Sequence, residues 1–192
     1  VSNVYVVEQG VEKFKPTVKL GHELLIGCGN NRRKLLDENG KPEWKDLVTL
    51  DMDAACEPDI VWDLTHFPYP IPDASFMEIH AYEVLEHITG FVGDFRSFFK
   101  PFIEFWRILK PGGLLCATVP IWDSVGAFGD PGHGRIINAM TLSFLCQTIY
   151  ERDVGVNTPM TDYRAWFPRP NDFNIIECHE VNQRFCFVLQ KQ

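Results

Sequence analysis

Two glycines and a series of carboxylates stand directly after short apolar runs in the first half of this chain. Gly27-Cys28-Gly29-Asn30 closes the run Leu24-Leu25-Ile26. Glycine is needed where backbone bends sharply and lets a ligand approach closely, and such a turn after a first strand is where nucleotides bind in open α/β sheets. Asp51, in Leu50-Asp51-Met52-Asp53, follows Gly27 at close to the spacing of an acid that accepts hydrogen bonds from ribose hydroxyls. Met52 would set a polarizable thioether beside a base. Asp63, in Trp62-Asp63-Leu64, could accept from an exocyclic amine. A dinucleotide fingerprint would want a third glycine at the position Arg32 occupies, which argues against a nicotinamide or flavin dinucleotide. Asp53 is expected to be solvated or to cap a turn.

A second set could move protons. Glu86 and His87 fall at an expected strand-to-helix junction, in Tyr82-Glu83-Val84-Leu85-Glu86-His87. Glu86 there would satisfy nearby backbone donors. His87 is either structural or a general base, since imidazole titrates near neutral pH. His133 lies in Asp130-Pro131-Gly132-His133-Gly134-Arg135 and is a candidate for substrate contact or for the base, with Arg135 a candidate for an anionic group. Trp122, Phe128, Trp166 and Phe167 could wall a substrate pocket, face a cation, or simply pack. His22, His66, His80 and His179 show no metal-ligand spacing, and no metal is expected.

The elements that must position these residues are short. Apolar runs bounded by turn residues at His22–Ile26, Leu47–Met52, Asp59–Trp62, Phe76–Tyr82 and Gly113–Val119 predict buried strands. Asp94–Leu109 carries Phe95, Phe98, Phe99, Phe102, Ile103, Phe105, Trp106 and Leu109 at helical spacing, with Phe91 just ahead, and predicts a helix that Pro101 should kink or divide. Thr141–Tyr150 predicts another, capped by Asn138 or Thr141. Phe173–Glu177 and Arg184–Leu189 predict a terminal antiparallel hairpin. Segments 122–135 and 153–172 read as long functional loops. The alternation implies an α/β, doubly wound, mostly parallel sheet with helices on both faces. Only a turn or two of helix fits between Asn31 and Leu47.

At 192 residues, with 45% hydrophobic and 23% charged residues, the chain has globular composition and the size of a single domain. Its core is expected over about 20–150, with a loop and the hairpin over 151–192. A net charge of −8 gives no general attraction to nucleic acid or anionic membrane. No apolar run is long enough for a membrane span. Cys28, Cys56, Cys116, Cys146, Cys178 and Cys186 form no C-x-x-C pair, so free thiols and a cytoplasmic location are expected.

The ordered series LLIGCGN, LDMD, WDL, EVLEHI, RILKPGG and ATVP resembles the class I S-adenosylmethionine (SAM) dependent methyltransferases, and within them a small type 11-like group. The similarity covers roughly Leu20 to Pro120 and continues more weakly to about Ile149. It implies a Rossmann-like sheet of seven strands ending in an antiparallel hairpin, SAM as cofactor and S-adenosylhomocysteine as product. By position, Gly27, Cys28, Gly29 and Asn30 would cradle the methionine portion, although many members have a further glycine where Asn30 stands. Asp51 would take the ribose, Met52 the adenine face, Asp63 and Leu64 the adenine edge. Ala81, Tyr82 and Glu83 would lie beneath the sulfonium. The expected activity is methyl transfer to an O, N, S or C nucleophile, with a small-molecule acceptor favoured. Substrate contacts would come from Trp122, Phe128, Arg135 and Trp166, and a base from His133 or His87. Duplex DNA is a poor candidate: no Asp/Asn-Pro-Pro-Tyr/Phe tetrapeptide is present, and Pro120 is followed by Ile121 rather than Cys. The alternative is a SAM-binding sensor or a non-catalytic subunit of a methyltransferase complex.

Overall fold

The computed structural model describes residues 5–8, 11–14, 20–36, 43–90 and 94–192. Phe91 lies outside the described residues. Seven strands form one sheet: β3 (Glu23–Ile26), β4 (Leu47–Asp51), β5 (Ile60–Val61), β6 (Phe76–Tyr82), β7 (Leu109–Pro120), β8 (Phe173–Val181) and β9 (Arg184–Lys191). Their spatial order is β5-β4-β3-β6-β7-β9-β8. β3, β4, β5, β6 and β7 pair in parallel, whereas β9 is antiparallel to both β7 and β8. The last strand of the chain is thus inserted between its two predecessors. A separate hairpin, β1 (Tyr5–Glu8) with β2 (Val11–Phe14), was not foreseen from the sequence.

The two faces of the sheet are covered by different means. On one face, Leu24, Ile26, Val48, Leu50, Ile79, Ala81, Leu115 and Ala117 meet the 14-residue helix α2 (Phe95–Ile108) in a single core. Phe98, Phe99, Phe102, Phe105 and Ile108 of α2 are all buried. Pro101 lies inside this helix and does not divide it. A proline there costs about 3 kcal/mol, whereas each buried phenylalanine returns about 1.5–3 kcal/mol, so packing on the sheet prevails. The segment after β7 joins the same core through Ile137, Leu142, Leu145 and Phe167. It holds α3 (Val125–Gly129), α4 (Ala139–Leu142), a 3-10 turn at Ser143–Leu145 and α5 (Gln147–Asp153). The helix expected over Thr141–Tyr150 is therefore split, with Asn138 and Thr141 forming a reciprocal capping box at its start.

The opposite face carries no α-helix between β3 and β5 among the described residues. A 3-10 turn at Ala54–Cys56 is the sole helical element there. In place of a helix, the extended segment 31–36 lays Lys34 on the sheet. The Lys34 ammonium stands 2.7 Å from Glu23 and 3.3 Å from Glu78, with its side chain only 3% exposed. Burial pulls the lysine pKa down, but the Glu23 hydrogen bond and the two carboxylate charges outweigh it and hold the group charged. His80 bridges Glu78 (3.0 Å) and the Tyr82 hydroxyl (2.7 Å), and that hydroxyl accepts the N–H groups of Leu35 and Leu36.

No helix is long and apolar enough to cross a membrane among the described residues. All six cysteines are free; Cys28, Cys116, Cys146 and Cys186 are buried and Cys178 is exposed.

The polar face makes stability acid-sensitive. The His80 hydrogen bond is the largest influence on Glu78. With the Lys34 charge it overcomes burial and lowers the carboxyl from 4.5 to about 2. A carboxylate whose folded pKa is depressed stabilises above its unfolded pKa, and that stability is lost as pH falls from about 4.5 towards 2. Urea unfolding across that window should show wild type losing up to about 3 kcal/mol more than Glu78→Gln. Parallel slopes for the two proteins would refute the assignment.

Candidate functional site

Register brings the expected ligand-binding turns together. Ile26 pairs with Leu50 on one side and Ala81 on the other, and Asp51 pairs with Val61. The carboxyl ends of β3, β4, β5 and β6 therefore lie side by side, where the chain switches from one half of the sheet to the other. Gly27, Asp51, Met52, Trp62, Asp63, Leu64, Thr65, Glu83, Val84, His87 and Ile88 line an open cleft of about 390 Å³ there. That is the size of a small-molecule site.

Gly27 adopts φ +59, and a Cβ on it would stand 2.6 Å from Val84 Cγ2 and 2.9 Å from Val84 Cβ. Bare backbone is required on both counts. Asp51 braces the turn: Oδ2 accepts the Gly29 N–H at 2.8 Å and Oδ1 accepts the Asp53 N–H at 2.9 Å. Each oxygen keeps a lone pair for a further donor. Asp63 accepts the N–H (2.8 Å) and hydroxyl (2.7 Å) of Thr65, which hold its carboxyl below the usual range. Glu83 has φ 54, a left-handed conformation disfavoured for L-residues by about 1–2 kcal/mol. The Thr118 hydroxyl donates to its Oε1 at 2.8 Å, Arg184 Nε stands 3.3 Å from the same oxygen, and its N–H donates to the Thr118 carbonyl at 2.8 Å.

The charged groups of this cleft share one sign. Asp51, Asp63 and Glu83 line it, and no lysine or arginine does among the described residues. Such a surface accepts hydrogen bonds from hydroxyls and amines and favours a positive ligand. It would repel a pyrophosphate.

Other expected contacts stand elsewhere. Cys28 is buried, and burial beside Asp51 raises its thiol pKa. Asn30 is exposed, and neither residue lines the cleft. Ala81 is wholly buried in the core. Tyr82 faces the opposite side of the sheet, because side chains alternate along β6 and its hydroxyl joins the His80 network. Asp53 caps the turn at Ala55, as one of its two expected roles. Arg135 donates to the carbonyls of Thr89 (3.1 Å) and Asp94 (2.9 Å) and lies over the Phe98 ring, so it ties two segments together. Trp166 packs edge-on against Phe95, and Phe167 is core. Trp122 and Phe128 are exposed on the segment after β7.

The histidines converge. α1 (Leu85–Ile88) carries Glu86 and His87, and the loop 130–135 folds over it. The Gly134 N–H donates to the Glu86 carbonyl at 2.9 Å, and His87 Nδ1 lies 3.2 Å from the Gly132 carbonyl. His133 meets His87 edge-on, ring centres 4.6 Å apart. His87 reaches the cleft, while His133 stands behind it. Glu86 departs from expectation: it is buried, and neither carboxylate oxygen accepts a hydrogen bond from another residue. Burial drives its pKa to about 8, its own N–H partly opposes this, and the charges of Glu83 and Asp130 add to it.

Gly27→Ala tests the cleft's construction. It should destabilise the fold by about 2–4 kcal/mol, from overpacking plus left-handed strain, measured by urea unfolding. Adding Val84→Ala removes the 2.6 Å contact with Cγ2 but not the 2.9 Å contact with Cβ, so it should restore only part of the overpacking share. Full stability of the single variant would show that the turn tolerates a side chain.

No protein-family model and no curated protein sequence matches the chain. Solved structures do match its shape. A SAM-dependent methyltransferase from Archaeoglobus fulgidus superposes with TM-score 0.53 at 14% identity, over 88% of this chain and 86% of the other. The 1,6-didemethyltoxoflavin-N1-methyltransferase from Burkholderia thailandensis, crystallised with 1,6-didemethyltoxoflavin and S-adenosylhomocysteine, gives 0.52 at 12% identity, over 90% and 71%. The cyclase SpnF gives 0.50 at 16%, over 89% and 75%. The strand order and the antiparallel β9 agree with these likenesses: the chain has the Rossmann-like fold of the SAM-dependent methyltransferases.

Proposed function

We propose that this protein is a SAM-dependent methyltransferase acting on a small-molecule acceptor. The observation that carries the reading is the acidic cleft at the switch point of the sheet, with Gly27, Asp51, Asp63 and Glu83 around it. Its acceptors suit ribose hydroxyls, an adenine amine and a cationic ammonium and sulfonium. The bare Gly27 backbone suits close approach, and the absence of a cationic lining residue among those described suits a cofactor without phosphate. Bound there, SAM supplies a methyl group on an already activated leaving group.

The protein's own task is then alignment and exclusion of water. Asp51 holds the ribose through the lone pairs its backbone partners leave free. Asp63 and Leu64 meet the base, with the exposed Met52 across from them. Glu83 sets negative charge near the sulfonium. A proton on the acceptor is taken up at the pair His87 and His133, of which His87 reaches the cleft. Trp122 and Phe128, exposed beyond β7, offer apolar surface to the acceptor. Two relatives by shape bear on the choice of activity. The Burkholderia enzyme is an N1-methyltransferase with 1,6-didemethyltoxoflavin bound, which favours a small acceptor. SpnF is a cyclase, which supports a second reading, a SAM-binding protein that does not transfer methyl.

Calorimetric titration with SAM, S-adenosylhomocysteine and NAD separates these readings. Micromolar binding of both adenosyl ligands is expected, with none of NAD. Asp51→Ala should weaken it about ten- to hundredfold, the worth of lost hydrogen bonds to a charged group. Tight NAD binding, or adenosyl binding unchanged in the variant, would defeat the cofactor assignment. With an acceptor found by labelled-methyl uptake, His87→Ala and His133→Ala should lower kcat about 100-fold or more while SAM affinity stays. SAM binding with no methyl uptake from any extract would support the second reading.

A further inference from the structure

Glu86 lacks a partner in a place built to provide one. Its side chain is 3% exposed, and both oxygens are without a hydrogen bond from another residue. Two imidazoles face the same point. His133 Nε2 lies 3.9 Å from Glu86 Oε1, with its side chain 9% exposed. One ligand atom from each of Glu86, His87 and His133 lies within 4.8 Å of the others. We propose that these three residues bind a divalent transition-metal ion of the zinc class beside the cleft.

The spacing discriminates between an ion and a simple charge pair. A histidinium donating to a carboxylate would close to about 2.7–2.9 Å. The Glu86–His133 separation of 3.9 Å stops short of that. Two ligands each about 2.1 Å from one ion stand about 3.0–3.5 Å apart, so only a small contraction is required. The donor set of two imidazoles and one carboxylate is the set that zinc and its neighbours prefer over magnesium or calcium. Three protein ligands also leave a coordination position for water or an acceptor oxygen.

Outer contacts already hold the ligands. His87 Nδ1 meets the Gly132 carbonyl, the hydrogen bond to a backbone oxygen that ligating histidines commonly make. The backbone N–H of His133 donates to the Asp130 carbonyl and closes the turn that presents the ring, whose Nδ1 is buried without a hydrogen bond. The second cluster of this kind, His22 with Glu23 and Glu78, is filled by the Lys34 ammonium. The base role given above to His87 and His133 belongs to the metal-free protein; with the ion bound, the two imidazoles serve as its ligands. The expectation of no metal, drawn from spacing among four other histidines, is thereby revised. The site stands independently of the methyltransferase reading.

The test uses full-length protein stripped with a chelator, titrated with Co(II) by visible absorption and with Zn(II) by competition. One ion per chain is expected, with ligand-field bands of a nitrogen- and oxygen-bound Co(II) and a Zn(II)-dependent rise in Tm. Glu86→Gln and His133→Ala should each weaken Zn(II) binding at least about tenfold. His179→Ala, removing an exposed imidazole paired with Glu177, should not change it. Far-UV circular dichroism of each stripped variant checks folding, and His133→Gln replaces any variant that fails. Absence of Co(II) bands, or binding equal in wild type and the Glu86 and His133 variants, would overturn the proposal, as would loss on removing His179. SAM affinity measured on the same stripped protein reports separately on the cleft.

Discussion

A parallel sheet leaves both of its faces to be covered, and everything at the cleft depends on how this chain meets that requirement. One face is closed by aromatic packing beneath α2, whose five buried large side chains fix the helix despite Pro101. On the other, among the described residues, a buried lysine sits among carboxylates of two strands, with Trp44 against His80 and a small apolar cluster of Leu114, Cys116, Val188 and Leu36. A buried ammonium is costly unless paired, and here each carboxylate is itself further tied, Glu23 to the Lys45 N–H and Glu78 to His80. This network spans β3 and β6, the strands between which the chain switches direction. It therefore fixes the register that aligns Gly27 with Asp51 and Glu83.

Around that frame, the cleft end of the sheet holds one strained residue and one buried carboxylate without a donor. Glu83 sits in a left-handed conformation, held by Thr118 from the next strand. Glu86 is buried without a donor three residues later. Away from the cleft, His22 Nδ1 is buried without a partner as well, whereas the larger ionic groups are paired. Arg107, for example, joins Glu104, Asp73 and the carbonyls of Tyr69 and Ile71, pinning the loop after β5 to α2.

Local chemistry made the cleft legible in the sequence. Glycines and acids immediately after apolar runs mark strand ends, and the α/β alternation with a terminal hairpin marks a mostly parallel sheet, though not the insertion of β9 beside β7. Side-chain direction was harder. Tyr82 follows Ala81 by one residue, and the two-residue period of a strand sends it to the far face, towards His80. Arg135 is a candidate for an anionic group by sequence, yet it donates to the carbonyls of Thr89 and Asp94, both distant in sequence. The meeting of Glu86 with His133 is likewise tertiary: no spacing rule relates a helix after β6 to a loop after β7. Among the described residues between β3 and β4 no α-helix stands where a turn or two was expected, and the buried lysine found there carried no local signal.

The placement of β9 sets the order in which the sheet can be finished. Synthesis delivers β7 and β8 first, yet neither is the other's neighbour. Until β9 emerges, β8 has nothing to pair with, and the outer edge of β7 is an open ladder on which a foreign strand could dock. Closure comes with the last described turn of backbone, where the Lys191 ammonium donates to the Leu109 carbonyl at 2.7 Å and covers the Trp106 ring. On the ribosome, then, β9 behaves as a bolt: the two strands beyond β7 stay unlatched until it has emerged.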